Sequence, residues 1–126
     1  MLTDLKVKVG PQFYRYHVGA IDFVSDLLQE FSAKNVLIVH GQISFEKAKP
    51  FLKFLNERTY NFHFLQYTGE CSYYGAERIA KVVKEQEIDF IIGVGGGKLT
   101  DLVGYASHTL NIQYGVIPTL ASNCAP

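Results

Sequence analysis

A chain of 126 residues, 48% of them hydrophobic, is long enough for one domain with a real core and too short for two. Its 12 Lys and Arg residues balance 12 Asp and Glu, so no net field draws it to nucleic acid and no like-charge run marks a disordered arm. The opening "MLTDLKVKVG" lacks a secretory signal pattern, and no stretch approaches the roughly 18 apolar residues of a membrane span, which reads as a cytoplasmic protein.

After a short extended start, "FYRYHVGA" (13–20) alternates as an edge strand does. "IDFVSDLLQEF" (21–31) places Ile21, Val24, Leu27, Leu28 and Phe31 on one face and predicts a helix. "NVLIV" (35–39) is a β-rich run without alternation, as in a strand covered on both faces, and His40-Gly41-Gln42 ends it. "SFEKAKPFLKFLNER" (44–58) predicts a helix with Ser44 as N-cap and Phe45, Ala48, Leu52 and Leu55 on one face; Pro50 implies either a kink or a late start. "NFHFLQY" (61–67) reads as a strand, and "GECSYYGAERIAKVVKEQE" (69–87) as a turn and a helix carrying Ile79, Ala80 and Val83. A strand over "DFIIGV" (89–94), a helix across "LTDLVGYASHTL" (99–110) and a strand at "YGVIP" (114–118) complete the pattern.

Strands alternating with helices of this length pair in parallel through right-handed crossovers. The expected fold is therefore α/β: an open, Rossmann-like, mostly parallel sheet with helices on both faces and an N-terminal edge strand or hairpin. Ligands of such sheets bind beyond the carboxyl ends of the strands. That directs attention to residues 39–43, 67–72, 93–101 and 118 onward.

The third of these regions carries the most specific signal. In "IIGVGGGKLTD" (91–101) an apolar run stops at three successive glycines, Gly95, Gly96 and Gly97, and Lys98 follows at once. A strand ending at Val94 and a helix starting near Leu99 leave a turn whose N–H groups face outward beside the positive end of the helix dipole. Such a turn is an anion site: glycine permits φ > 0 and removes the β-carbons that would hold a phosphate away, while Lys98 adds a full charge. One glycine would suffice for the turn alone, and a bulky residue at Gly96 is expected to block the site. The stretch matches neither common phosphate fingerprint. Counted from Gly93 or Gly95, the third glycine of G-x-G-x-x-G is missing, and a P-loop would need glycine in place of Ile92 and a hydroxyl in place of Leu99.

"GVGGGKLTD" (93–101), followed by "VIPTLAS" (116–122) and the closing "AP", resembles the metal-dependent glycerol dehydrogenases of the iron-containing alcohol dehydrogenase and dehydroquinate synthase superfamily. "GECS" (69–72) is similar to the glycerol dehydrogenase branch. The resemblance implies that residues 1–126 form an N-terminal nucleotide-binding domain, and that an α-helical second domain outside this chain carries the aspartate and histidines that bind a divalent zinc or iron ion. It implies NAD or NADP as cofactor, with Gly95, Gly96, Gly97 and Lys98 holding the pyrophosphate. Asp101 would lie near the nicotinamide, Thr119 and Ser122 would line the adenosine side and the cleft, and Asn123 and Cys124 would border the substrate. The implied chemistry is hydride exchange between the nicotinamide and an alcohol or polyol, the metal acting as Lewis acid. Homo-oligomerisation is left open.

Four departures from the family pattern bear on this. Gly41, within "VHGQ", stands where the family often has an aspartate for the adenine ribose; a carboxylate would repel a 2′-phosphate and glycine would not. Ser122-Asn123-Cys124-Ala125-Pro126 replaces Ser-Thr-Asp-Ala-Pro, so Cys124 takes the place of the acid near the polyol hydroxyls. Asp101-Leu102-Val103-Gly104 replaces D-x-x-K and is closer to the dehydroquinate synthase form, whereas Lys98 is a residue those synthases usually lack.

His17, His40, His63 and His108 fall on different elements with no i, i+4 pair, which argues against a metal site in this chain. His40 sits at a strand end facing the expected cofactor, yet reads first as a solvated or backbone-bonded residue; His63 reads as a structural one. Cys71 and Cys124 lack a C-x-x-C spacing and read as reduced thiols. Tyr73 and Tyr74 either touch a nucleotide or a neighbouring domain, or pack at a helix start. Three functions remain: the cofactor half of a metal-dependent NAD(P) polyol or alcohol dehydrogenase; a glycerol-1-phosphate dehydrogenase or dehydroquinate-synthase-like lyase; or a nucleotide-binding fragment inert by itself.

Overall fold

The computed structural model describes residues 4–9, 12–17, 23–41, 46, 53–69 and 72–118. Strands β1 (Asp4–Val9), β2 (Gln12–His17), β3 (Asn35–His40), β4 (Asn61–Gln66), β5 (Phe90–Gly95) and β6 (Gln113–Pro118) form one sheet in the order β2-β1-β6-β5-β3-β4. The pairs β3 with β4, β3 with β5 and β5 with β6 are parallel. β1 runs antiparallel to both β2 and β6, so the N-terminus is a hairpin with β2 outermost. The edge strand expected over 13–20 is therefore present, shifted to Gln12–His17.

Burial explains the apolar runs. Every residue of β5 is buried, as are Val36 to Val39 of β3, so a period-2 pattern has no solvent face to mark. Helices α2 (Ser72–Gln86) and α3 (Gly97–Leu110) cover one side, where Leu37, Val39 and Ile91 meet Ile79 of α2 and Leu99, Leu102, Val103 and Ala106 of α3. Val36, Ile38, Phe90, Ile92 and Val94 alternate with these and point to the other side. There α1 (Phe23–Glu30) buries Val24 and Leu28, and Phe31 just beyond it tilts against Phe90 at a centroid distance of 6.5 Å. Each fully buried Leu, Ile or Phe contributes about 1.5–3 kcal/mol, so the two layers around β3 and β5 are the main source of stability. β4 lies at the sheet edge; its Phe62, His63 and Leu65 are half-buried and Phe64 is exposed. The helix expected over 44–58 falls mostly outside the described residues, within which Lys53–Asn56 forms a 3-10 turn.

At the amino ends of the parallel strands a polar clasp sets the register. Both carboxylate oxygens of Asp89 accept from the Lys34 N–H, at 3.1 and 3.0 Å, and the Asp89 N–H donates to Asn35 O at 2.9 Å. Asn35 Nδ2 donates to Glu87 O at 3.1 Å while its Oδ1 accepts from Asn61 Nδ2 at 3.0 Å, so β3, β4 and the approach to β5 are tied through one asparagine. The clasp is exposed, which limits its value. Asp89→Ala is expected to lower the unfolding free energy by about 1 kcal/mol in urea titrations, with an unchanged m-value.

Candidate functional site

The chain passes from β3 outward to β4 but from β5 in the opposite direction to β6, so the loops leaving these adjacent strands diverge and open a crevice between their carboxyl ends. Backbone contacts hold the crevice walls together. Gly41 N donates to Val94 O at 3.3 Å, and Tyr67 N donates to His40 O at 2.7 Å, so the ends of β3, β4 and β5 lie side by side. His40 is half-buried; its Nδ1 donates to Gly41 O at 3.0 Å and its ring meets Phe64 edge-on at 6.2 Å, in line with a backbone-bonded histidine.

The glycine turn follows from β5. Gly95 is the last residue of the strand, Gly96 is the N-cap of α3 with φ −84° and ψ −173°, and Gly97 is already helical. The helix thus starts two residues before the expected Leu99, which places Lys98 in its first turn. Thr100 N–H is the first to find an intrahelical acceptor, Gly96 O at 3.0 Å, and Thr100 Oγ1 donates to Gly97 O at 3.0 Å. The N–H groups of Gly97, Lys98 and Leu99 precede this ladder, and no side chain caps the helix.

Conformational freedom is a smaller reason for the glycines than expected. Of the three, only Gly95 has positive φ, at 158°. Space is the larger reason. A β-carbon on Gly95 would sit 3.0 Å from Leu99 Cδ1, whereas one on Gly97 would meet nothing within 4 Å. The protein itself therefore does not need Gly97 to be bare; the missing side chain leaves open room over the helix N-terminus. Below the turn, Gly93 lets α3 rest on β5, since its β-carbon would come within 2.8 Å of Val103 Cγ2.

A cleft of about 760 Å³ opens beside this turn, between the start of α2 and the first two turns of α3. Tyr67, Gly69 and Tyr73 line one wall and Lys98, Asp101 and Tyr105 the other. Tyr73 and Tyr105 are 72% and 57% exposed and stand at its rim. Two of the four regions expected from the sequence, 67–72 and 93–101, therefore meet here, and Gly41 lies next to β5 at the crevice. Thr119, Ser122, Asn123 and Cys124 lie outside the described residues. Tyr67 opens the expected region 67–72, whereas Tyr105 was not anticipated. The signal for Tyr105 was present: Lys98, Asp101 and Tyr105 are spaced i, i+3, i+7 and so share one face of α3.

Gly104, the position at which D-x-x-K would put a lysine, is a packing site. A β-carbon there would lie 3.3 Å from the Tyr114 hydroxyl, and burial raises the pKa of that phenol above its ordinary value of 10.0. Among the described residues no group of three or more His, Cys, Asp or Glu side chains could hold a metal ion, and no helix is long and apolar enough to cross a membrane.

Over an alignment of 129 positions the chain is 32% identical to a glycerol dehydrogenase of Thermotoga maritima, covering 94% of this chain and 32% of that protein. It is 31% identical over 96 residues to a glycerol-1-phosphate dehydrogenase [NAD(P)+] of Thermoplasma volcanium, covering 75% of this chain and 27% of that one. The crystal structure of a probable glycerol dehydrogenase from Sinorhizobium meliloti 1021 superposes with a TM-score of 0.66 at 27% identity, covering 83% of this chain and 28% of that chain. The chain thus spans a third or less of the length of these relatives. The sequence profile of the iron-containing alcohol dehydrogenases matches residues 11–126, nearly the whole chain, and the protein belongs to that family.

Proposed function

We propose that this chain is the nucleotide-binding domain of a metal-dependent NAD(P) dehydrogenase acting on an alcohol or polyol, with a second domain beyond residue 126. The observation that carries the reading is the open space over Gly97 at the N-terminus of α3, with Lys98 in the same turn. The residues fit a dinucleotide diphosphate. Three N–H groups outside the helical ladder, the helix dipole and one ammonium offer charge-assisted contacts to phosphate oxygens, and no β-carbon on Gly97 stands in the way. When bound, the nicotinamide accepts or donates the hydride. The chain's own part is binding and orientation. The turn anchors the diphosphate, and the cleft between Tyr73 and Tyr105 gives the remainder of the ligand aromatic walls and, at Asp101, a hydrogen-bond acceptor. No described residues fit the expected zinc or iron ion.

Kinship with glycerol and glycerol-1-phosphate dehydrogenases supports a polyol-type substrate; Asn123 and Cys124 are proposed to border it, and Thr119 and Ser122 to line the cofactor cleft. The proposed enzyme is cytoplasmic, acts on a small molecule, and engages neither nucleic acid nor membrane. Residues 1–126 alone are expected to bind the dinucleotide without turnover.

Titration of the full-length protein with NADH and NADPH, followed by nicotinamide fluorescence, tests the reading. Saturable binding of at least one is expected, and absence of both ends it. Lys98→Gln is expected to raise Kd about tenfold while leaving the melting temperature in place, because Lys98 is exposed and its loss removes one charge-assisted contact. An unchanged Kd would remove Lys98 from the diphosphate site.

A further inference from the structure

Resting on the dinucleotide reading above, we infer that the alcohol oxidised beside the bound dinucleotide carries a quaternary ammonium group, held in the cleft by Tyr67, Tyr73 and Tyr105 together with Asp101. The observation is a convergence of aromatic and acidic side chains from three parts of the chain. Tyr67 follows β4, Tyr73 stands in the first turn of α2, and Asp101 and Tyr105 lie four residues apart on α3, yet all four line one cleft of about 760 Å³. That volume falls within the usual range for small-molecule sites and leaves room for the nicotinamide end and a small alcohol together. Glu77, also exposed, follows Tyr73 by four residues on α2, so each helix carries a tyrosine and a carboxylate on one face.

A tyrosine ring offers a cation the negative face of its π-system, and a carboxylate adds a full charge. A quaternary ammonium has no N–H to satisfy, so ring faces suit it; a neutral polyol gains most from hydrogen-bonding groups instead. Tyr73 and Tyr105, 72% and 57% exposed, are two of the five large hydrophobic side chains that stand exposed among the described residues, and both stand on this rim. Lys98, in the same lining, repels a cation in the free protein. In the dinucleotide complex its ammonium meets the diphosphate, whose charge exceeds it, and with Asp101 the occupied cleft becomes net negative. The cation is therefore held only after the dinucleotide. In the reaction the carbinol carbon gives its hydride to the oxidised nicotinamide and the hydroxyl gives its proton to solvent, which yields an aldehyde that keeps the ammonium group and the reduced cofactor.

The test is calorimetry on the full-length protein, free and saturated with whichever of NADH and NADPH it binds, titrated with choline and with 3,3-dimethyl-1-butanol, the uncharged carbon analogue of the same shape. Steady-state oxidation of both alcohols with the matching oxidised cofactor is the second measurement. Choline is expected to bind the dinucleotide complex about tenfold or more tightly than the carbon analogue and to show a kcat/KM higher by a similar factor, expressed in KM. Tyr105→Leu is expected to bring this ratio to about one, whereas Tyr105→Phe, which keeps the ring, is expected to preserve it. Circular dichroism melts control for folding; should Tyr105→Leu fail to fold, the ratio in the unsubstituted protein and the Phe variant still decide. Choline that binds or turns over no better than its carbon analogue, in a protein that binds the dinucleotide, overturns the inference and leaves the dinucleotide reading standing. A preference that survives Tyr105→Leu also overturns it, since the charge is then recognised elsewhere. Binding of neither dinucleotide overturns that reading and this inference with it.

Discussion

Gly97→Ala is expected to raise the melting temperature and, in the same protein, to weaken dinucleotide binding about tenfold to a hundredfold. The two effects have opposite signs because they arise in different states. In the folded chain Gly97 is helical, and a β-carbon there meets nothing within 4 Å, so alanine brings no steric cost. It does reduce the conformational entropy of the unfolded chain and favour helix, a gain of about 0.5–1 kcal/mol. In the complex, the diphosphate oxygens must approach the N–H groups of the first turn to about 2.9 Å, and the new methyl stands in that approach. Thermal melts and fluorescence titrations on one preparation check both halves. Binding that survives alanine would mean that the open space over α3 serves no ligand.

Gly93→Ala is expected to cost about 2–3 kcal/mol of stability, the overpacking penalty for an interior with no slack. The new β-carbon would lie 2.8 Å from Val103 Cγ2, 3.2 Å from Val103 Cβ and 3.3 Å from Leu99 Cδ2. None of these can swing away, because Val103 is wholly buried and Leu99 is 3% exposed. Either α3 lifts from β5 or the strands part. Combining it with Val103→Ala should make the double variant more stable than the sum of the single effects, since the second change removes the atoms that the first one strikes. Urea unfolding of the four proteins measures this coupling. A lifted α3 also carries its N-terminus away from the crevice, so Gly93→Ala is expected to weaken dinucleotide binding although the residue lies beneath the site. Additivity of the two substitutions would show that the helix tolerates the extra methyl by another route.

The glycine turn shows how far local reading reaches. Three glycines before a lysine announced an anion site, but freedom at positive φ applies to Gly95 alone, and the crowding of Gly95 and Gly93 against α3 depends on a helix packing back onto its own strand. The start of α3 at Gly97 was placed two residues late for the same reason. Glycine carries low helix propensity, so a sequence rule ends the turn after it, whereas the Thr100 N–H to Gly96 O bond extends the helix through it. Tyr67 was legible only as the start of a loop leaving a strand; that it shares a cleft with α3 depends on where the end of β4 lies in the fold.

From sequence alone came the order and type of the described elements apart from the stretch 44–58, the absence of alternation in β3 and β5, the N-terminal edge strand and the glycine-lysine turn. All of these are short-range matters of side-chain period and backbone preference, which each segment carries within itself. Only the tertiary structure decided the strand order β2-β1-β6-β5-β3-β4, the placing of Gly41 against Val94, and the meeting of Tyr67 and Tyr73 with Lys98, Asp101 and Tyr105 across one cleft. These are contacts between segments distant in the chain. They are selected by the burial of two apolar layers at once, a condition that no single stretch of residues contains.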